Sequence, residues 1–168
     1  GTSISSSGTV YVRSETVSDA LDLGSNPATA NVLELSDAEL DIVTAGTQLV
    51  LGGDGTTEMT GGVTVTAAVD PANAANVAVQ QDGATIDIRA NLTAGTDLSL
   101  DADVNASGSG AITRSTGAGT LAATGGNLTL NAATGIGDIG GTAPVAIGTV
   151  GGSLSATNTT SGDLYLST

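Results

Sequence analysis

The chain has 168 residues and a formal charge of −14, with three Arg, no Lys, His or Cys, no Phe or Trp and two Tyr. Lacking imidazole and thiol, it has no groups for His- or Cys-based catalysis, thiol redox chemistry or a zinc centre, so only carboxylate chemistry remains. The charge opposes nucleic acid and anionic membranes, which both need clustered cations, and no apolar run approaches the roughly 18 residues that span a bilayer.

The apolar fraction of 39% comes mainly from Ala, Val, Leu and Ile. Such side chains suit a narrow, regular interior in which each strand adds one or two inward residues to a stacked row. Gly1-Thr2-Ser3 shows no basic region leading into an apolar core, so the chain is expected to be mature or an excerpt. Needing neither disulfides nor metals, it suits export through an envelope.

Taken in order, Thr9-Val10-Tyr11-Val12 opens a series of short apolar–polar–apolar stretches. Residues 16–23 form an irregular strand candidate, and Gly24-Ser25-Asn26-Pro27 is a turn in which Pro27 bars a central strand. Ser36, with Glu39 three positions later and Leu40 and Val43 beyond, predicts a capping box and a short helix near residues 37–43, serving as a corner or a lid over strand edges. The alternation resumes at Gln48-Leu49-Val50-Leu51, Val63-Thr64-Val65-Thr66, Val77-Ala78-Val79, Ile86-Asp87-Ile88, Leu98-Ser99-Leu100, Leu128-Thr129-Leu130 and Leu164-Tyr165-Leu166. Period two puts Leu98 and Leu100 on one face and Ser99 on the other, as in a half-buried strand. Gly and small polar residues, as in Gly52-Gly53-Asp54-Gly55 and Gly125-Gly126-Asn127, mark the corners.

Repetition chooses among the all-β architectures. Val63, Val77 and Ile86 are each echoed 35 residues later by Leu98, Ile112 and Leu121, and Gly95–Ala102 is echoed 30 residues later by Gly125–Ala132. An inexact period with variable corners predicts a β-solenoid, a single elongated segment over residues 1–168. A longer echo relates Ser7–Ser14 to Ser161–Thr168 at an offset of 154, pairing Tyr11 with Tyr165, so the chain is expected to be slightly more than one large tandem repeat of about 154 residues. Charge is uneven: residues 1–107 carry a net −13 and residues 108–168 a net −1. This is either drift in a low-complexity sequence or a neutral stretch that packs against a neighbour.

Leu33-Glu34-Leu35-Ser36-Asp37-Ala38-Glu39-Leu40-Asp41, Thr44-Ala45-Gly46-Thr47 and the closing Gly135-Ile136-Gly137, Ala143-Pro144-Val145, Leu154-Ser155-Ala156 and Ser161-Gly162-Asp163-Leu164-Tyr165-Leu166 resemble repeats of giant filamentous-haemagglutinin-like adhesins of Gram-negative bacteria. The resemblance covers most of residues 31–168 and implies a right-handed parallel β-helix, secretion to the cell surface and work as an adhesin or fibre. It carries no catalytic residues to transfer.

Asp97, Asp101 and Asp103, with Asp54 in its Gly-rich corner, are the calcium candidates, although the Gly-Gly-x-Gly-x-Asp nonapeptide of calcium rolls does not recur. Paired acids on a β-helix also describe a polysaccharide hydrolase or lyase, but two Tyr and three scattered Arg are poor platforms for sugars, so no enzyme is expected. Thr64-Val65-Thr66 has the local pattern of an ice-binding face without its repetition, and the sequons at Asn91, Asn105, Asn127 and Asn158 are frequent in any Thr- and Asn-rich chain. The expected role is mechanical. A rod stacks head to tail with copies or neighbouring repeats, through ends that carry unpaired backbone groups. The alternative is a binding module that recognises a glycan or protein receptor through residues 52–62 or 70–76.

Overall fold

The structure, a computed structural model, describes residues 3–25, 27–54, 56–137 and 143–168. Asn26 of the expected turn and Gly55 of the Gly-rich corner lie outside the described residues. The architecture is all-β with parallel sheets, as expected, and every pairing between named strands is parallel.

The chain visits its sheets in a recurring order. It starts with β1 (Ile4–Ser6) of a two-stranded sheet, β2 (Val10–Val12) of a six-stranded sheet, and β3 (Ala20–Leu23) and β4 (Val32–Leu35) of a five-stranded sheet. After α1 (Asp37–Leu40), the next pass runs through β5 (Val43–Ala45), β6 (Leu49–Leu51) and β7 (Val63–Val65) in those same three sheets. It continues with β8 (Val77–Gln80) and β9 (Thr85–Ile88), then β10 (Leu92–Ala94), β11 (Leu98–Asp101) and β12 (Ala111–Thr113). The last passes are β13 (Thr120–Ala123) with β14 (Leu128–Ala132), β15 (Val145–Val150) with β16 (Leu154–Asn158), and finally β17 (Leu166–Ser167).

The resulting orders are β16-β14-β11-β8-β6-β2, β12-β9-β7-β3-β4 and β10-β13-β15-β17. Isolated parallel bridges Ala45↔Ala74 and Val69↔Leu92 link the β1-β5 pair to the four-stranded sheet, so these strands form one wall. Bridges Ile112↔Ile136 and Ile136↔Leu164 extend the five-stranded wall through the later passes.

The alternation in the sequence explains the packing. Leu49, Val77, Leu98 and Leu128 share one register column of the six-stranded sheet, and all are fully buried. Each such side chain contributes about 1.5–3 kcal/mol by leaving water. The interior is one cluster of Leu, Val, Ile, Ala and Met59. No aromatic ring is needed, because each inward residue is stacked between like residues from the passes on either side.

The 35-residue echo is not the pairing register: Leu98 pairs with Val77 and Leu128, Ile112 with Ile86, and Leu121 with Leu92. Val63 and Leu98 belong to different walls, so that echo joined equivalent patterns rather than neighbouring strands. The 30-residue echo does coincide with pairing, Leu98 to Leu128 and Leu100 to Leu130. Likewise Val10–Val12 edges the six-stranded sheet, whereas Leu164 bridges to Ile136 and Leu166 pairs with Val145. The partners of the 154-residue echo therefore sit on different walls.

The helix is shorter than expected and ends at Leu40 with Asp41 as its C-cap. Both halves of the capping box form: the Ser36 hydroxyl accepts the Glu39 N–H, and a Glu39 carboxylate oxygen accepts the Ser36 N–H at 2.9 Å. Extended pairing then takes over, with the Ile42 carbonyl accepting the Ile4 N–H at 3.1 Å and Val43 aligned with Ile4. Leu40 is buried, and the Asp37 and Asp41 carboxylates accept the backbone N–H groups of Asp70 and Ala72 at 2.7 and 2.8 Å. The helix thus ties its turn to the next pass.

Candidate functional site

β11 separates Asp97 from the calcium candidates Asp101 and Asp103. Asp97 precedes the strand and Asp101 ends it, so four residues of extended chain hold them about 13 Å apart. Asp97 Oδ1 accepts the Asn127 N–H at 2.7 Å and Asn127 Nδ2 at 3.3 Å. Asp101 Oδ1 accepts Asn131 Nδ2 and the Asp103 N–H, both at 3.0 Å. Asp103 is 4% exposed, and its Oδ1 accepts the Ser107 hydroxyl at 2.8 Å and the Gly108 N–H at 3.1 Å. The three acids do not converge, and among the described residues no three His, Cys, Asp or Glu side chains gather as metal ligands.

Asp97 instead belongs to a corner ladder. Asn76, Asp97, Asn127 and Ser153 each stand one residue before a strand of the six-stranded sheet. Asn76 Oδ1 accepts the Asp97 N–H at 3.2 Å, Asp97 the Asn127 N–H, and Asn127 Oδ1 the Ser153 N–H at 3.0 Å and hydroxyl at 2.8 Å. The Asn76, Asp97 and Asn127 side chains each satisfy a corner N–H of the following pass, where the change of direction takes the backbone out of the sheet's own ladder.

Asp54 is also engaged at both oxygens. Its Oδ1 accepts the Thr56 hydroxyl and N–H and the Thr57 N–H, and its Oδ2 meets Arg13 Nε at 3.0 Å. These bonds, the Thr56 hydroxyl first, hold its carboxyl well below the usual carboxylate range. It closes an Asx-type turn through Oδ1, with Oδ2 paired to Arg13.

Patterning overlooks three buried polar groups. Gln81 is fully buried and accepts the Ala84 N–H at 2.9 Å while donating to the carbonyls of Ala84 and Ala102. Glu58 is 4% exposed; Asn105 Nδ2 donates to one of its oxygens at 2.9 Å and the other has no partner among the described residues. Asp87, 7% exposed, faces outward on β9 beneath Arg89, Thr113 and Ser115. Only Asp87, inside an alternating strand, carried any signal in the sequence, as the polar member of Ile86-Asp87-Ile88.

Burial pushes the Asp87 carboxyl up, but the Ser115 hydroxyl and N–H, followed by the Arg89 guanidinium, outweigh it and leave the carboxyl below its ordinary value. A carboxylate lowered by folding stabilises the fold above its unfolded value of about 3.9. That contribution is lost as pH falls through the lower folded value. Asp87→Asn is therefore expected to destabilise the protein at pH 7, with the gap to the parent closing in acid denaturation below about pH 4. A gap constant to the lowest pH would contradict this account of Asp87.

One cavity of about 590 Å³ lies where the third wall is interrupted between Val69 and Ala74. It is lined by Ala45, Asp70, Pro71, Asn73, Ala75 and Thr96 among others, within the 70–76 loop expected as a binding candidate. The 52–62 candidate loop is drawn inward instead: Met59 is buried, and the Thr60 N–H donates to the Val17 carbonyl at 2.7 Å. The cavity offers one carboxylate, an amide and a hydroxyl, and no aromatic face for a sugar ring.

β2 and β16 each have one neighbour in the six-stranded sheet. The large exposed apolar side chains lie on the outer passes: Ile4, Tyr11, Val17 and Ile42 toward one end, and Leu154, Leu164 and Tyr165 toward the other. Comparison with protein-family models, curated proteins and solved structures finds no match.

Proposed function

We propose that this chain is a structural stacking segment: a right-handed parallel β-helix from a secreted surface adhesin or extracellular fibre of a Gram-negative bacterium, working as a stiff spacer that joins neighbouring repeats or copies end to end. The observation that carries this reading is the order β16-β14-β11-β8-β6-β2, in which each pass lays one parallel strand beside the strand of the preceding pass. Right-handed crossover is the strong rule for parallel strands joined in this way. Six strands at ~4.8 Å spacing give a stack of about 29 Å, so length comes from adding segments. The surface placement rests on the resemblance of the closing run to filamentous-haemagglutinin-like repeats and on a cysteine-free composition.

We assign no enzymatic role, since the acids in the best-ordered corners are committed to backbone and side-chain hydrogen bonds. Electron micrographs of the native surface material test the proposal. Thin filaments of uniform width are expected, and isolated globular particles would contradict it. A receptor-binding reading is favoured by the cavity at residues 70–75. It requires that substituting Asp70 and Asn73 abolish adhesion while leaving filaments intact.

A further inference from the structure

We propose that the corner shared by residues 53–58, 80–82 and 103–105 binds a calcium ion, with Glu58 and Asp82 as carboxylate ligands and Gln80 as an amide ligand. The site is internal and independent of the fibre reading; it needs only the order in which the passes stack.

Consecutive passes meet at this corner, after β6, β8 and β11. Gly53 and Glu58 face each other across a tight hairpin, in which the Met59 N–H donates to the Gly52 carbonyl at 2.7 Å and the Asp54 N–H to the Thr57 carbonyl at 3.2 Å. On the next pass the Asp82 N–H donates to the Met59 carbonyl at 3.0 Å, so residues 58–59 run beside residues 80–82. Gly53 lets the side chains gather: a Cβ there would stand 3.1 Å from Glu58 Cγ and 3.2 Å from Gln80 Oε1. The following pass closes the corner, where Asp103 bridges to Asp82 and Asn105 Nδ2 donates to Glu58 Oε2 at 2.9 Å. Met59 and Gln81 are the buried, inward members of their segments, so alternation puts Glu58, Gln80 and Asp82 on the other side of the chain.

What the corner lacks is a donor. Glu58 Oε1, Gln80 Oε1 and Asp82 Oδ1 are all buried and accept no hydrogen bond among the described residues, and Glu58 as a whole is 4% exposed. Buried acceptors without partners are costly, carboxylates most of all. Asp103 does not relieve them, because its own carboxylate accepts the Ser107 hydroxyl and the Gly108 N–H. Lys is absent, Arg13 and Arg89 are held by Asp54 and Asp87, and Arg114 follows β12 on the five-stranded wall. The missing positive charge therefore comes from solution. Two carboxylates and an amide form an oxygen-only set, short of a three-acid cluster, which suits a hard cation rather than zinc. Ca²⁺ tolerates irregular geometry and completes about six to eight ligands with backbone carbonyls and water, whereas Mg²⁺ demands a near-ideal octahedron. Bound there, the ion ties the hairpin of one pass to the strand end of the next.

Equilibrium dialysis and thermal denaturation of the full chain, with Ca²⁺ alone as the probe, test the site. Saturable binding of a single ion is expected at a Kd of about 0.1–1 mM, as befits few protein ligands. At about 10 mM Ca²⁺ the melting temperature should rise by roughly 3–10 °C over the protein in EDTA, and by less with the same concentration of Mg²⁺. Glu58→Gln keeps the shape of the side chain and removes its charge, so it should lose this response. Asp97→Asn, at the corner before β11, should keep it. Absence of saturable binding overturns the proposal, as does an equal response to Mg²⁺, a full response in Glu58→Gln or a lost one in Asp97→Asn. Should Glu58→Gln fail to fold, Gln80→Ala, which deletes a neutral side chain, is read in its place: calcium affinity should fall at least about tenfold, and unchanged affinity overturns the site.

Discussion

Leu98→Ala should lower the unfolding free energy by about 2–5 kcal/mol, whereas Leu154→Ala in dilute solution should cost under about 1 kcal/mol. The two leucines occupy the same register column, two strands apart, and differ only in what lies above them. Leu98 is fully buried between Val77 and Leu128, so its truncation removes the transfer energy of the lost carbons and leaves a void that neighbouring strands cannot close without leaving their ladders. Leu154 has Leu128 on one side and solvent on the other. For a chain of this length, the first change corresponds to a fall of roughly 5–15 °C in melting temperature. Equal costs at the two positions would mean that the interior is not built from stacked columns.

Gly110→Ala should be comparably damaging, at about 3–5 kcal/mol, for a reason located in the backbone. Gly110 has φ +108°, and a Cβ there would lie 1.9 Å from the Ala102 carbonyl oxygen. Its own carbonyl accepts the N–H groups of Ala133 and Thr134 at 3.0 and 2.9 Å, so a shift to relieve the clash disturbs the corners of two passes. Gly8→Ala is the control, since the nearest atom to a Cβ there is Ser6 Oγ at 3.7 Å and no left-handed φ is required. Thermal denaturation of the pair should show a large loss at Gly110 and little change at Gly8. Similar melting temperatures for both variants would contradict the close approach of passes at this corner.

The strands were the legible part of this sequence. Val10–Val12, Val63–Val65, Leu98–Leu100 and Leu128–Leu130 all read as alternating and all lie in strands, because period-two hydrophobicity is a local property. Pairing is not local. Val63 and Leu98 carry the same apolar pattern 35 residues apart, yet the corners between them set how far the chain travels before returning to a wall, and those lengths vary from pass to pass. The 30-residue echo succeeded because Gly95-Thr96-Asp97 and Gly125-Gly126-Asn127 are equivalent corners, down to the Asp97–Asn127 hydrogen bond. In β4, Leu33-Glu34-Leu35 alternates as well, directly before the capping box that turns the chain into the helix.

The candidate site was less legible. Asp97 and Asp101 are neighbours in sequence, and an extended strand turns that proximity into separation, while Asp103 stays beside Asp101. Conversely, Asp87 and Ser115 are 28 positions apart and are joined by adjacent passes of the five-stranded wall. Glu58 and Asn105, 47 positions apart, meet across corners two passes apart. Residue type announces such groups, but only the register brings their partners to them.

The register itself is the claim on which everything else stands, and backbone nuclear Overhauser effects from Leu98 in isotopically labelled protein test it most directly. The account predicts contacts from the Leu98 amide to the backbone of Asn127 and Leu128, following its 2.9 Å hydrogen bond to the Asn127 carbonyl. Contacts instead to the backbone of Val63 or Ala133, the positions 35 residues away, would contradict it.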